Sequence, residues 1–332
     1  MRARRLLFAA TAIILGMVVA LAGVELTARA RGWRPRLPAV QPEPPIHEFD
    51  PILGWRPVPG HYRFGPYSPG APPVDVTIGA DGARSTGTDA AAGHPEVLLV
   101  GCSFTMGWAV SDDQTWAWRL QDLRPDVAVV NRGVGGYGTL QSLLLLEQIF
   151  ARGQRPAWVL YGFLDHSLRN VGAPLWLWAL AFNTHTIATP YCTLTADGRL
   201  ERHPPEAYPS LPLHEYLASV ALLEKAIVER RASSRVASAV TVTQRLLLEM
   251  AELCRANGVR FSAVLLDVPD AVKSRYVSYA QQHQIDVIDC NVPFLTADDV
   301  VPGEVHPNAA VHRRWGDCIA AALADPSRLP VR

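Results

Sequence analysis

The chain has 332 residues and a mass of 36.3 kDa, with 49% hydrophobic and 19% charged residues. This composition excludes a disordered chain, which would be rich in charge and poor in apolar residues. Lys+Arg and Asp+Glu both number 31, so the formal net charge is zero. We predict no nucleic-acid partner, because affinity for nucleic acid depends mainly on an excess of Lys and Arg.

The N-terminal segment departs from this balanced composition. Three arginines within the first five residues precede an uncharged, mostly apolar run at 6–24, which Glu25 ends. A helix of that length spans about 28 Å, close to the bilayer core of about 30 Å. We expect residues 1–32 to be a transmembrane anchor; the alternative is a cleaved signal segment with Ala20-Leu21-Ala22 as the cleavage site. The rest of the chain would then lie outside the cytoplasm, membrane-anchored in the first case and secreted in the second.

Residues 33–94 are rich in proline, and we interpret them as a linker followed by an extended, loop-rich docking segment. From residue 95 the pattern changes to short apolar runs, each followed by Gly or a polar residue. Such runs are typical of strands buried on both faces of a parallel sheet. The five predicted strands are 97–100, 127–130, 158–161, 261–266 and 285–288.

Predicted helices alternate with these strands. They cover 139–152, 213–231, 239–257 and a final amphipathic segment that starts near Val311. The alternation predicts an α/β fold, with three α/β/α layers around a mostly parallel, doubly wound five-stranded sheet. An aromatic-rich insertion at about 171–212 interrupts the alternation, and Asp197-Gly198 within it predicts a hairpin.

Ligands of open parallel sheets bind outside the carboxyl ends of the strands, so the residues there are the candidate site. Ser103 follows the first strand, within Gly-Cys-Ser-Phe-Thr at 101–105. A serine between a strand and a helix suits a nucleophile, because its N–H lies near a helix N-terminus; a plain helix cap is the alternative. His306 precedes the last helix and could act as general base, or be a surface histidine.

A glycine-rich stretch at 131–139 follows the second strand. Gly133, Gly135 and Gly138 match the dinucleotide pattern G-x-G-x-x-G. The match follows the second strand and has no acidic residue about 20 positions on, so it is a weak hypothesis; a tight turn or an amide-lined oxyanion pocket are the alternatives. We predict no cofactor. We predict no metal either, because the ten histidines show no H-E-x-x-H or comparable spacing.

Together, the three motifs resemble the SGNH (GDSL-type) hydrolases over residues 97–324, and the N-terminal segment is similar to that of their membrane-anchored, exported members. The resemblance implies a flavodoxin-like catalytic domain at 95–332. It implies Ser103 as nucleophile and His306 as base. It also implies an oxyanion hole formed by the Ser103 and Gly136 amides, and it matches Asn131 in the second motif.

The sequence departs from this family pattern at two positions. Leu164 occupies the place of the oxyanion-hole asparagine, and loss of one such donor costs about 3–4 kcal/mol of transition-state stabilisation. Gly303 occupies the usual place of the acid, three residues before the histidine. Glu304 is our candidate acid, with Asp298, Asp299 or no acid as alternatives. The residues that could line the site are Asn131, Asp165, His166 and Asn170.

These features predict an exported serine esterase that hydrolyses or transfers O-acyl groups. The resemblance favours O-acetyl esters on cell-envelope carbohydrate or lipid, so the expected partners are an acylated small molecule, saccharide or lipid, and the membrane. The alternative is a catalytically degenerate binding or assembly protein of the same fold. Cys102 replaces the aspartate of the family motif and is either an inert packed thiol or a second nucleophile. Export would permit a disulfide, but the sequence leaves the pairing of the five cysteines open.

Overall fold

The structure is a computed structural model that describes residues 2–36, 45–87, 93–173, 188–292 and 295–325. The chain divides into two compact units. The larger contains Pro42–Ala173, Ala188–Glu206 and Arg235–Arg332, and the smaller contains Met1–Gln41, Pro174–Ile187 and Ala207–Ser234.

The described elements follow the predicted alternation of strands and helices. The strands are β1 His47–Asp50, β2 Gly54–Pro57, β3 Gly60–Phe64, β4 Val74–Ile78, β5 Glu96–Gly101, β6 Ala128–Asn131, β7 Trp158–Leu164, β8 Ala188–Leu194, β9 Leu200–Ala207, β10 Arg260–Asp267 and β11 Asp286–Asp289. The helices are α1 Arg2–Ala30, α2 Ser103–Met106, α3 Trp116–Leu123, α4 Thr139–Ala151, α5 Ser167–Asn170, α6 Ala218–Val236, α7 Ala239–Ala256, α8 Asp270–Gln282 and α9 Ala309–Ala324.

The central sheet of the larger unit has five parallel strands in the order β11-β10-β7-β5-β6. Numbered along the chain within the sheet, this is the order 2-1-3-4-5 of flavodoxin-like, doubly wound folds. The predicted fold class is therefore confirmed. The order reverses between β5 and β7, so the carboxyl end of β5, where Ser103 follows, lies at the topological switch point.

Helices cover both faces of this sheet. Successive side chains of each strand point to opposite faces, so each buried strand contributes side chains to both layers. On one face, Leu160 and Leu164 of β7 pack in a buried cluster with Trp116 of α3 and Trp315 of α9. On the other face, the Tyr161 hydroxyl donates to Thr139 of α4 at 3.0 Å.

The docking segment is more regular than the loop-rich chain that we predict. Strands β1 and β2 pair antiparallel, as do β3 and β4. The apolar side chains of these strands alternate with exposed ones, so Tyr62, Val76 and Ile78 form a small core with Met106 of α2. The segment therefore packs directly against the helix that Ser103 begins.

The predicted insertion is described in part. Strands β8 and β9 form a two-stranded sheet with Asp197-Gly198 in the turn between them, which confirms the predicted hairpin. The aromatic residues that mark this insertion in the sequence lie outside the described residues. They are Trp176, Trp178 and Phe182.

Helix α1 in the smaller unit contains the apolar run. Its Arg4–Ala30 stretch is, among the described helices, the one long and apolar enough to cross a membrane by length and composition. Glu25 accepts hydrogen bonds from the Ala218 and Ser219 amides at 3.0 and 2.8 Å. Because these bonds cap the first turn of α6, the helix predicted at 213–231 begins at Ala218 instead.

Candidate active site

Ser103 begins α2 directly after the sheet's first strand along the chain. Cys102 is the N-cap, and its sulfur accepts from the Phe104 amide at 3.5 Å. Gly101 has φ near +153°, and a Cβ there would lie 2.2 Å from Thr105 Oγ1, so this tight turn requires glycine. The turn leaves Ser103 only 7% exposed but facing the carboxyl edge of the sheet.

His306 and Glu304 extend from Ser103 in a chain of hydrogen bonds. The distance between His306 Nε2 and Ser103 Oγ is 3.0 Å, and the distance between His306 Nδ1 and Glu304 Oε2 is 2.9 Å. A neutral imidazole donates through one ring nitrogen and accepts through the other. With the Nδ1 proton directed at Glu304, His306 Nε2 is free to accept the Ser103 hydroxyl proton.

Two aromatic side chains flank the imidazole. The Phe104 ring lies edge-on to His306 at 5.7 Å between centroids, and the Trp108 ring lies 6.3 Å away. Partial burial works to raise the pKa of the Glu304 carboxyl. The hydrogen bond and charge of His306, together with the Val305 amide and the Trp108 indole, outweigh that effect and hold its pKa below the ordinary value.

Gly303, the position that the family pattern gives to the acid, has no room for a side chain. A Cβ at Gly303 would lie 2.0 Å from the main-chain oxygen of Tyr67, and its φ of +84° disfavours any other residue. The docking segment therefore occupies the space that a side chain at 303 would need. Of the other two candidate acids, the Asp299 carboxylate pairs with Arg314, and the main-chain carbonyl of Asp298 accepts from the Asn308 side chain.

The glycine-rich loop 133–138 packs on α2, the helix that Ser103 begins. Asn131 is fully buried; its amide donates to Thr105 O at 3.0 Å, and its carbonyl oxygen accepts from Gly133 N at 3.0 Å. A Cβ at Gly133 would lie 2.4 Å from Met106 N. Close backbone packing thus accounts for Gly133, the first glycine of the dinucleotide-like pattern. Gly136 has φ near +84°, so it too requires glycine.

The residues that follow β7 do not replace the missing asparagine donor. Leu164 is 4% exposed and packs in the α3/α9 cluster. Asn170 is buried, accepts from the Leu140 amide at 3.1 Å and caps α4. Asp165 accepts from the Tyr276 hydroxyl at 2.8 Å. The ring Nε2 of His166 is buried and unpartnered, and burial together with the Arg169 charge holds its pKa well below the ordinary value.

Arg84 is a residue beside the site that the sequence analysis did not identify. It is buried and donates to three carbonyls that follow Ser103, those of Met106, Gly107 and Val110, at 3.0, 2.5 and 2.7 Å. The docking segment thereby caps the carboxyl end of α2. Trp108 and Tyr67 were missed as well, and they carry no sequence signal for their positions beside Glu304.

The structure settles which cysteines are paired. Cys290 and Cys318 form a disulfide, and Cys102, Cys192 and Cys254 are buried free thiols. The disulfide joins the end of β11 to α9 and brackets the loop with Glu304 and His306. In the described part of the chain, no group of three His, Cys, Asp or Glu side chains is arranged to hold a metal ion.

Three comparisons place the chain among known proteins. No family model and no curated protein matches it. Among solved structures, it is similar to a member of the lipolytic G-D-S-L family from Veillonella parvula, at 17% identity and a TM-score of 0.41, over 70% of this chain and 99% of that one. The doubly wound α/β fold of the chain rests on its own sheet topology.

Two further solved structures show the same range of similarity. TesA matches at 16% identity and a TM-score of 0.41, over 69% of this chain and 98% of that one. The psychrotrophic esterase EstA from Pseudoalteromonas matches at 12% identity and a TM-score of 0.37, over 69% of this chain and 96% of that one. Similarities at this level identify neither the family nor the function of this chain, so its function has to be derived from its own site.

Proposed function

We propose that this protein is a serine esterase or acyltransferase whose nucleophile, base and acid are Ser103, His306 and Glu304. The observation that carries the proposal is the continuous hydrogen-bond chain from Ser103 Oγ through both imidazole nitrogens to Glu304. A serine, a histidine and a carboxylate in this order activate a hydroxyl for attack on an acyl carbon.

In the proposed reaction, Ser103 Oγ attacks the ester carbonyl carbon while His306 Nε2 takes the hydroxyl proton. The Ser103 and Gly136 amides bind the oxyanion that develops. Its collapse breaks the bond to the alkoxide, which receives the proton from His306, and leaves an acyl-serine. Water then attacks the acyl-serine, again with His306 as base, and releases the acid; a sugar hydroxyl in place of water gives acyl transfer.

The test uses the full-length chain in detergent with 4-nitrophenyl acetate as substrate. We expect Ser103→Ala and His306→Ala each to lower kcat at least about 1000-fold. The matched control is Ser233→Ala, because Ser233 is an exposed serine that donates only to the Arg230 carbonyl of its own helix. Unchanged turnover in both site variants would exclude the proposed mechanism.

We further propose that the larger unit lies outside the cytoplasm and acts on O-acyl groups, O-acetyl esters above all, of cell-envelope carbohydrate or lipid. The disulfide supports an oxidising compartment, and α1 supports attachment to a membrane. In intact cells, a membrane-impermeant protease added after permeabilising the outer layer should degrade the larger unit. Protection of that unit until the inner membrane is lysed would reject the location.

Leu164 favours a second candidate function, a binding or assembly protein with little turnover. Its apolar side chain leaves the expected oxyanion pocket without a side-chain donor at that position. A fluorophosphonate probe distinguishes the two functions, because it labels only an activated serine. Labelling of Ser103 supports the esterase. Absence of labelling together with retained binding of an acylated oligosaccharide supports the binding protein.

A further inference from the structure

Arg169 lies between the two loops that would form the oxyanion pocket. It follows β7 on the short helix α5, five positions after Leu164. Its Nη1 donates to the carbonyl of Tyr137 at 2.8 Å, and its guanidinium lies close enough to the Cys102 side chain to interact with it electrostatically. Tyr137 is the residue after Gly136, and Cys102 is the residue before Ser103.

These contacts connect one cation to both amides that the proposed mechanism uses. The Tyr137 carbonyl belongs to the peptide between Tyr137 and Gly138, so the Arg169 bond anchors the loop one residue after the positive-φ turn at Gly136. The thiol contact connects the same guanidinium to the N-cap of the nucleophile helix. A guanidinium remains charged at neutral pH, and its five donors have a fixed planar geometry that can bridge two acceptors.

The surroundings strengthen the electrostatic effect of this cation. Arg169 is partly buried, and its side chain packs against the loop so closely that a Cβ at Gly138 would lie 3.1 Å from Arg169 Cβ. Its neighbour His166 has an unpartnered, buried Nε2 and adds no positive charge of its own near neutral pH. A charge in a site with little water acts more strongly on a developing oxyanion than the same charge in solvent.

We propose that Arg169 is the positioning residue that compensates for the donor missing at Leu164: it fixes the Gly136 amide through the Tyr137 carbonyl and supplies positive charge beside the oxyanion pocket. The inference rests on the proposed esterase function and explains how that function persists with an apolar residue at 164. The cation acts through the neighbouring peptides and does not itself touch the substrate.

The test compares Arg169→Gln and Arg169→Lys in the full-length chain. Glutamine keeps a hydrogen-bond donor without charge, whereas lysine keeps the charge without the planar fork. With 4-nitrophenyl acetate, we expect Arg169→Gln to lower kcat about 100-fold and to change KM less than about threefold, because the charge acts on the transition state. We expect Arg169→Lys to retain kcat within about tenfold of the unmodified chain.

The matched control is Arg132→Gln. Arg132 lies in the same glycine-rich loop, is also partly buried, and pairs with Asp81 instead of approaching Cys102. We expect its kcat to stay within about threefold of the unmodified chain.

Three results would overturn the inference: a kcat of Arg169→Gln within about threefold of the unmodified chain, a loss confined to KM, or equal losses for Gln and Lys. The failure of the proposed function looks different, because the unmodified chain would then show no turnover that depends on Ser103.

Discussion

The loop that carries Ser103 and the loop that carries His306 are held by different kinds of interaction. Around Ser103, the bonds come from buried side chains: Asn131 donates to Thr105 O, and Arg84 donates to the carbonyls of Met106 and Gly107. Around His306, they lie near the surface. Asp299 pairs with Arg314, and Asn308 donates to the Asp298 carbonyl at 2.7 Å. The Cys290–Cys318 disulfide brackets this second loop.

The difference predicts how each loop responds to change. A buried polar group that loses its partner costs free energy of unfolding, because it was removed from water and cannot return to it. A solvent-exposed ion pair contributes about 0–1 kcal/mol and is screened by salt. We therefore expect loss of the buried bonds around Ser103 to destabilise the larger unit, and loss of the exposed side-chain contacts around His306 to change the rate of reaction more than the stability.

Substitution of Arg84 should have the largest effect. Arg84→Met removes donors from three buried carbonyls and leaves Asp112 without its 2.8 Å ion pair. We expect the free energy of unfolding to fall by about 3–5 kcal/mol, measured by urea denaturation of the detergent-solubilised chain. Arg63→Met is the control, since its 3.9 Å pair with Asp75 is largely exposed. Equal losses for both variants would contradict the buried clamp.

Loss of the disulfide should be next in size. The bond closes a loop over a sequence separation of 28, so Cys290→Ser/Cys318→Ser should lower the free energy of unfolding by about 3 kcal/mol. Because Glu304 and His306 lie inside this loop, kcat should fall as well, even well below the melting temperature. Dithiothreitol should have the same effects on the unmodified chain and none on the double variant. A stability loss without a rate change would mean that the bracket does not position His306.

The sequence predicts local features of the two loops, but not the contacts that they make with distant parts of the chain. The strands and Ser103 could be predicted, because an apolar run and the residue after it are local features of the sequence. Arg84 and Tyr67 could not, because their roles depend on a docking segment that folds against residues more than 20 and 200 positions away, respectively. In the sequence, Gly303 indicates that the usual acid is missing. In the structure, the Tyr67 backbone occupies the space that a side chain at 303 would need.

The acid of the site offers a sharper test of the His306 loop. Glu304→Gln keeps the side-chain shape but removes the negative charge that stabilises an imidazolium, so we expect kcat to fall about 100-fold with little change in stability. Asp299→Asn in the same loop should change kcat less than about threefold. Adding Gly303→Asp to Glu304→Gln should not restore the rate, because Tyr67 O occupies the space for that side chain. Recovery of activity would contradict the backbone explanation.

The smallest predicted effect concerns His312, a buried residue of α9 that interacts electrostatically with Arg84, beside Ser103, and with His306. His312 is fully buried, and its Nδ1 accepts from the Trp116 amide at 3.3 Å. Burial, and then the charges of Arg84 and His306, lower the pKa of His312 from 6.5 to about 3. Below pH 6.5 the unfolded chain therefore binds a proton at His312 that the folded chain does not bind until about pH 3. The free energy of unfolding must fall as the pH decreases through that window.

Between pH 6.5 and 5, this one group should remove about 2 kcal/mol of unfolding free energy, at about 1.4 kcal/mol per pH unit. His312→Asn keeps an acceptor for the Trp116 amide but cannot gain the proton. We expect its unfolding free energy, measured by denaturant titration, to fall about 2 kcal/mol less than that of the unmodified chain over the same range. His61→Asn on exposed β3 provides the control. Parallel curves for the His312 variant and the unmodified chain would show that His312 gains its proton in the folded state, and that burial between the two loops does not keep it neutral.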